Sequence, residues 1–292
     1  MTRPTGRAGT RLGVDVGGTD TKWVLLDGDT VVDSGTVATP PGPDETMKLV
    51  AALAAPHVES IGIGLPGHVE RDTGTALFVP NPPGDWDGYP AGPRLSALTG
   101  VPVAVVNDAR AFALAELLLG AARGLSDVLF AVLGTGVGGA VALRGEILVG
   151  PRDNVGEVGH VTVDPWGSPC CCGNRGCVET LAGGPGIVRA FGSGPASAVT
   201  AAARAGDERA VSVLAKAGWA LGIALGDAAS LFGARAVVVG GGVSGALDLM
   251  GAALREELGR RRALIGDIAV LPAVLGPRAG AIGAALYGGR SG

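Results

Sequence analysis

Histidine and cysteine are scarce in this chain, and the little there is lies together. Only three of 292 residues are histidine and four are cysteine, and His160 shares the stretch 156–179 with all four cysteines. A disulfide there would need an oxidising compartment. The N-terminal run MTRPTGRAGTR lacks the apolar core of a signal peptide, so a metal knuckle is preferred to a disulfide. Long apolar runs are missing too. Glu116, Arg123 and Asp227 interrupt the longest before any reaches the roughly 18 residues of a membrane span, which predicts a soluble, cytoplasmic protein without a membrane partner. The net charge of −4 provides no electrostatic footprint for a nucleic-acid backbone, and a small-molecule partner is expected instead.

Familiar nucleotide signatures are absent as well. No G-x-x-x-x-G-K-[ST] occurs. Gly134, Gly136 and Gly139 fit G-x-G-x-x-G, and Val141 extends the match to the glycine-rich loop of protein kinases. The downstream H-R-D and D-F-G of those kinases are missing, and the following GGAVALRGE reads as strand and turn where a dinucleotide fingerprint must open a helix.

What is present is an aliphatic, turn-rich α/β pattern. The length suggests about two domains. Glycine (52) and proline (19) are abundant, yet the glycines punctuate Val, Ala and Leu runs, as in a folded protein. Strands are predicted at 12–16, 23–26 and 30–37 around the turn Gly17-Gly18-Thr19. The pattern recurs at 128–133, 137–143 and from Glu146, around Gly134-Thr135-Gly136. Two copies of one hairpin unit imply two related domains, and glycine turns that expose backbone N–H groups suit phosphate oxygens. Between the copies lie a helix at 45–55, a strand at 60–65, a turn-rich loop FVPNPPGDWDG, and a strand at 103–106 that hands over through Asn107 and Asp108 to the helix ARAFALAELLL. Ligands of open α/β sheets gather at such strand ends. Asp108 is therefore either a helix N-cap or a catalytic group. The C-terminal part predicts helices at 196–205 and 207–231, a strand at 236–239, a third turn Gly240-Gly241-Gly242 opening a helix to about 262, a strand at 268–273, and a last helix at 279–287 whose Gly-Ala spacing allows close packing.

In the knuckle, His160, Cys170, Cys172 and Cys177 can supply one imidazole and three thiolates to a tetrahedral site, with tight turns at Gly173 and Gly176. Cys171 is a fifth candidate, so the residues alone leave the ligand set open. Glu157, Arg175 and Glu179 around it suggest that the metal shapes a pocket and performs no chemistry. His57 and His68 are expected to be structural or surface residues, and Trp23, Trp166 and Trp219 to be core.

DVGGTDTK at 15–22, PN followed by Trp86, VND at 106–108, LGTGVGG at 133–139, GEVGH at 156–160, CxCGNxGCxE at 170–179 and VVGGGVS at 238–244 together resemble the repressor, open-reading-frame and kinase (ROK) family of sugar kinases, nearly end to end. The resemblance implies the actin-like ATPase (ribonuclease H-like) α/β fold, two domains around a cleft. Residues 10–109 would carry the first phosphate turn and the catalytic Asp, and residues 110–292 the second turn, the zinc knuckle and the adenosine turn, with the last helix packing on the N-terminal domain. It further implies an ATP-dependent hexokinase or glucokinase type of enzyme acting on the 6-hydroxyl of a hexose, glucose by default. Aminosugars such as kanosamine, N-acetylhexosamines, fructose and cyclitols are alternatives, as is a non-catalytic sugar-binding member. The repressor branch carries a helix-turn-helix ahead of the first phosphate turn, and the 14 residues before Asp15 are too few for one.

By the same resemblance Asp15 would hold Mg²⁺ with the ATP phosphates, while Gly17, Gly18, Thr19, Gly134, Thr135 and Gly136 cradle those phosphates. Lys22, one of three lysines, stands just past the first phosphate turn by its position in the sequence, either reaching a phosphate or lying exposed on its strand. Gly240, Gly241 and Gly242 would lie against adenosine and Asp108 would be the catalytic base. Asn81, Asn107, Glu157, His160 and Glu179 would hold sugar hydroxyls. The structural Zn²⁺ would take His160, Cys170, Cys172 and Cys177, a set in which Cys171 stands where the family usually has another residue. A homodimer is also implied.

Overall fold

Alternation along the first strand decides which side of the first sheet does what. In β1 (Thr10–Val16), Leu12, Val14 and Val16 are fully buried and join one apolar cluster, whereas Gly13 and Asp15 point the opposite way, as the two-residue period of a strand requires. The computed structural model describes residues 9–54 and 56–290. Residues 1–8, where no signal peptide is expected, Ala55, at the expected end of the first helix, and residues 291–292 lie outside the described residues.

Two compact units result, one running to Gly120 with Val149–Val155 and the chain from Pro277, the other comprising Ala121–Leu148 and Gly156–Gly276. In the first unit β1 pairs antiparallel with β2 (Asp20–Asp27), and β2 with β3 (Thr30–Ala38). Helix α1 (Pro43–Leu53) then leads to β4 (Val58–Leu65), parallel to β1. A small hairpin, β5 (His68–Glu70) and β6 (Thr75–Phe78), precedes the expected turn-rich loop and helix α2 (Ala91–Thr99) follows it, and the periodicity revealed neither. Strand β7 (Val103–Asn107) closes the sheet in the order β3-β2-β1-β4-β7 and passes directly into α3 (Asp108–Leu118).

The second unit repeats the plan. β8 (Val128–Leu133), β9 (Val137–Leu143) and β10 (Glu146–Ile147) form an antiparallel meander. Short helices α4 (Glu179–Ala182), α5 (Gly184–Phe191) and α6 (Ala196–Arg204) precede α7 (Glu208–Phe232). β11 (Ala236–Gly240) runs parallel to β8; α8 (Leu247–Arg260) and α9 (Arg262–Ile265) lead to β12 (Ala269–Pro272), giving the order β10-β9-β8-β11-β12. The hairpin duplication expected from the sequence is therefore a duplication of the sheet plan. One detail differs: the third glycine turn does not open a helix directly, because a 3₁₀ turn at Ser244–Ala246 intervenes before α8. By length and composition α7 could cross a membrane. Its Gly218 and Gly222 instead bring it against the backbone of Met250 and Leu254 in α8, and its apolar stripe is core.

The last helix, α10 (Ala279–Gly288), belongs to the first unit and packs on β1, β4 and α3. The approach is so close that a Cβ at Gly13 would stand 2.0 Å from the Ala281 carbonyl oxygen, and one at Gly62 1.7 Å from that of Ala284. Only glycine permits it, and the close packing read from the Gly-Ala spacing is the observed contact.

Candidate active site

In the first unit, the odd face of β1 aims Asp15 at the first turn of α10, where a Cβ on Gly280 would stand 2.7 Å from the carboxylate. Burial raises the Asp15 pKa, and Lys22, directly opposite on β2, pulls it partly back. The turn beyond β1 is shaped by Thr39, whose hydroxyl donates to the Gly17 carbonyl at 2.8 Å and whose amide donates to that of Thr19 at 2.9 Å. With those carbonyls engaged, Gly18 and Thr19 are exposed, and a Cβ on Gly18 would lie 3.0 Å from the backbone oxygen of Asn81. The fold thus brings Asn81 against the first glycine turn.

At the end of β7 the cap of α3 is Asn107 and not Asp108. The Asn107 Oδ1 accepts the amides of Ala109 at 2.9 Å and Arg110 at 3.2 Å, and its Nδ2 donates to the Gly67 carbonyl at 2.8 Å. Asp108 occupies the first helical position, half-buried, with one oxygen 2.8 Å from the Ala109 amide. The capping role considered for Asp108 is therefore filled by its neighbour, the residue with non-helical φ and ψ. Having committed its oxygen and one hydrogen to the backbone, the Asn107 side chain keeps a second Nδ2 hydrogen with which it could meet a ligand.

In the second unit the turn Gly134-Thr135-Gly136 lies between β8 and β9, held by the Gly134 amide donating to the Gly136 carbonyl. Two further segments converge on it. The third glycine turn packs on Leu133, with the Val243 amide donating to the Leu133 carbonyl at 2.9 Å and Gly241 at φ +90°. The start of α5 meets it from another side, the Gly184 amide donating to the Gly134 carbonyl at 2.8 Å. Gly183 and Gly184 carry no motif of their own; the run Gly-Gly-Pro at 183–185 is their one signal in the sequence, since Pro is favoured in a first helical turn.

Glu179, at the start of α4, joins this turn to the knuckle. Its Oε2 accepts the Val137 amide at 3.0 Å, and its Oε1 accepts the Cys171 thiol at 3.3 Å. Glu157 precedes a 3₁₀ turn (Val158–His160) pressed on β9, where a Cβ at Gly159 would stand 1.8 Å from the Val137 carbonyl oxygen. His160 is carried on the last residue of that turn.

The knuckle is closed by bridges between Thr162 and Cys177 and between Pro169 and Arg175, with Gly173 and Gly176 both at positive φ. All four cysteines are free thiols. The donor atoms of His160, Cys170, Cys172 and Cys177 lie within 4.8 Å of one another, with Cys170 Sγ 3.5 Å from His160 Nδ1 and Cys172 Sγ 3.7 Å from Cys177 Sγ. A tetrahedral zinc ion with ordinary bond lengths separates two thiolates by about 3.8 Å and a thiolate from an imidazole nitrogen by about 3.6 Å. The donor set fits such an ion. A second grouping, His160, Cys170, Cys171 and Glu179, shares two of these donors. Burial, and after it the neighbouring thiols, push the Cys177 thiol up to about 12. Trp166, expected in the core, is instead 93% exposed on the knuckle loop; the local Asp-Pro-Trp-Gly turn holds it outward through the Trp166 amide and Asp164.

The ROK family model matches residues 11–288 of the chain. A glucokinase of Halalkalibacterium halodurans is 36% identical over 82% of this chain and 82% of its own. An N-acetylmannosamine kinase of Escherichia fergusonii is 33% identical over 85% and 89%. The crystal structure of a ROK family glucokinase from Streptomyces griseus in complex with glucose and AMPPNP has a TM-score of 0.83 and 34% identity, covering 97% of this chain and 100% of that one.

Proposed function

The chain belongs to the ROK family, and on that premise we propose that it transfers the γ-phosphoryl group of ATP to the 6-hydroxyl of a hexose, glucose being the substrate. It is a sugar kinase of the actin-like ATPase fold. The observation that supports the assignment of the base is that Asn107 caps α3, so that Asp108, at its first helical position, is not needed as the cap.

A sugar hydroxyl is a weak nucleophile at neutral pH. Asp108 hydrogen-bonds it, aligns it with the γ-phosphorus and takes its proton as the new O–P bond forms, while ADP departs with the electrons of the broken bond. Gly17, Gly18, Thr19, Gly134, Thr135 and Gly136 present amides to the phosphate oxygens, Lys22 adds a cation, and Gly240, Gly241 and Gly242 bound the adenosine. Asp15 holds the Mg²⁺ that neutralises phosphate charge when bound. Asn81, Asn107, Glu157, His160 and Glu179 orient the sugar, and a site built from such contacts rejects an analogue that leaves one of them unsatisfied. His160, Cys170, Cys172 and Cys177 hold a structural Zn²⁺, which supplies rigidity to the loop bearing the sugar contacts. The Nδ1 of His160 faces the thiol of Cys170, so its Nε2 is the nitrogen assigned to the sugar. The expected boundary at 109/110 moves, with the rest of α3, Val149–Val155 and α10 counted in the first unit, and the two units are the functional domains of a cytoplasmic homodimer.

A second reading, an N-acetylhexosamine kinase, is favoured by the 33% identity to the N-acetylmannosamine kinase. ADP release measured across glucose, mannose, fructose, kanosamine, N-acetylglucosamine, N-acetylmannosamine and inositol separates the two. Glucose is expected to give the largest kcat/KM; an N-acetylated sugar in first place replaces the glucose assignment, and no turnover with any sugar overturns the kinase reading.

A further inference from the structure

Behind Asp108 lies an ion pair that none of the roles above uses. Arg110, two residues along α3, is 1% exposed, and its Nε lies 3.6 Å from Asp153 Oδ1, whose side chain is 5% exposed. The guanidinium also donates through Nη2 to the Val155 carbonyl at 2.6 Å. Asp153 in turn accepts the backbone amide of Asn107 on Oδ2 at 2.6 Å. The residue is held at φ +46°, in the left-handed region that a non-glycine residue enters at a cost, in a turn closed by its own amide on Gly150. Arg110 and Asp153 therefore grip the β7–α3 junction from both sides of Asp108, one through the helix that begins with it and the other through the amide just before it.

Energetics argue against a purely stabilising purpose. Removing two charges from water is expensive, and apolar residues of similar volume fill such space at equal or lower free energy. A buried guanidinium and carboxylate, each tied by one hydrogen bond to a backbone group, do something that apolar packing does not: they define where the junction sits. Position is what a general base must have, because a shift of about 1 Å at a reacting group costs up to about a hundredfold in rate. The segment Val149–Val155 that supplies Asp153 is followed directly in the sequence by Gly156 and Glu157.

We propose that the buried Arg110–Asp153 pair positions Asp108 for catalysis; this rests on Asp108 being the base. Three variants test it in steady-state and single-turnover kinetics well below their melting temperatures. Asp153→Asn keeps an acceptor for the Asn107 amide but removes the charge partner, Arg110→Lys keeps the charge but loses the fork, and Arg110→Met with Asp153→Asn removes both charges and so preserves a foldable interior. Each is expected to lower kcat by about tenfold to a hundredfold while KM for ATP changes by less than about threefold. In an Asp108→Asn background the same changes are expected to cost nothing further, since residues that act through one group are not additive. Unchanged kcat in the folded double variant, or an equal loss with and without Asp108, overturns the proposal. If Asp108→Asn alone keeps wild-type rate, the base assignment fails first, and this inference falls with it.

Discussion

Glu179 Oε2 accepts the Val137 backbone amide at 3.0 Å, which ties the residue that follows the knuckle to the strand that leaves the second glycine turn. One carboxylate thus touches both the second glycine turn and the edge of the knuckle, with no room for a side chain at Gly136, where a Cβ would meet it at 2.4 Å. Truncation and neutralisation are expected to differ. Glu179→Ala loses the Val137 contact and should raise KM for ATP as well as for sugar by about tenfold, the scale of a hydrogen bond to a charged group. Glu179→Gln retains an acceptor for Val137 and should raise KM for sugar alone. Equal effects of the two variants on ATP would show that the contact does not support the turn.

Asp108→Asn keeps a hydrogen-bonding group but cannot take a proton. The chemical step should slow by about 10² to 10⁴, with sugar affinity measured by calorimetry changed by no more than a small factor. A variant retaining more than about a tenth of the rate removes Asp108 from the chemistry.

Asp15 makes stability depend on pH with a sign opposite to that of a salt-bridged carboxylate. Burial raises its folded-state pKa above the ordinary value of 3.8, and Lys22 offsets this only in part. The folded form therefore binds the proton more tightly than the unfolded chain. The associated stability is fully present below the unfolded pKa and is lost as pH rises through the folded one. Asp15→Asn should raise the Tm at pH 7, with a gain that shrinks to nothing under strongly acidic conditions, while abolishing ATP turnover. Thermal melts across that window check it; a lower Tm at pH 7 would mean that Asp15 is bound by stabilising contacts stronger than its desolvation.

Metal content separates the knuckle's thiols. Purified protein is expected to hold one zinc per chain by elemental analysis, with Cys172→Ser or Cys177→Ser losing it and Cys171→Ser keeping it. Loss with Cys171→Ser would select the alternative set containing Cys171 and Glu179. Stripping the metal frees His160 and loosens the loop bearing Glu157 and Glu179. Calorimetry on metal-free protein, shown by circular dichroism to remain folded, should find sugar binding lost and ATP binding kept. Loss of both would reduce the ion to a general support of the unit.

Much was legible along the chain because it is local. A strand, a turn and a second strand announce themselves through β-branched runs broken by glycine, so both hairpins, the strand entering Asn107 and the long helix α7 could be read directly, as could the clustering of His160 with its thiols. What is non-local was not legible. Asn107 and Asp108 are both good caps, and only the backbone at the end of β7, with Asn107 extended and Asp108 helical, distinguishes them. Trp166 is apolar enough for a core that its turn does not reach. Gly280 and Asp15, 265 positions apart, meet because α10 returns to β1. Nothing along the chain links Arg110 to Asp153, and they are a buried pair only because a seven-residue excursion, Val149–Val155, folds onto the first unit. Spacings along one chain carry the two hairpins, the glycine turns, the longer helices and the family. The tertiary structure alone decided which caps, carboxylates and cations face one another, because burial and charge pairing are properties of neighbours in space.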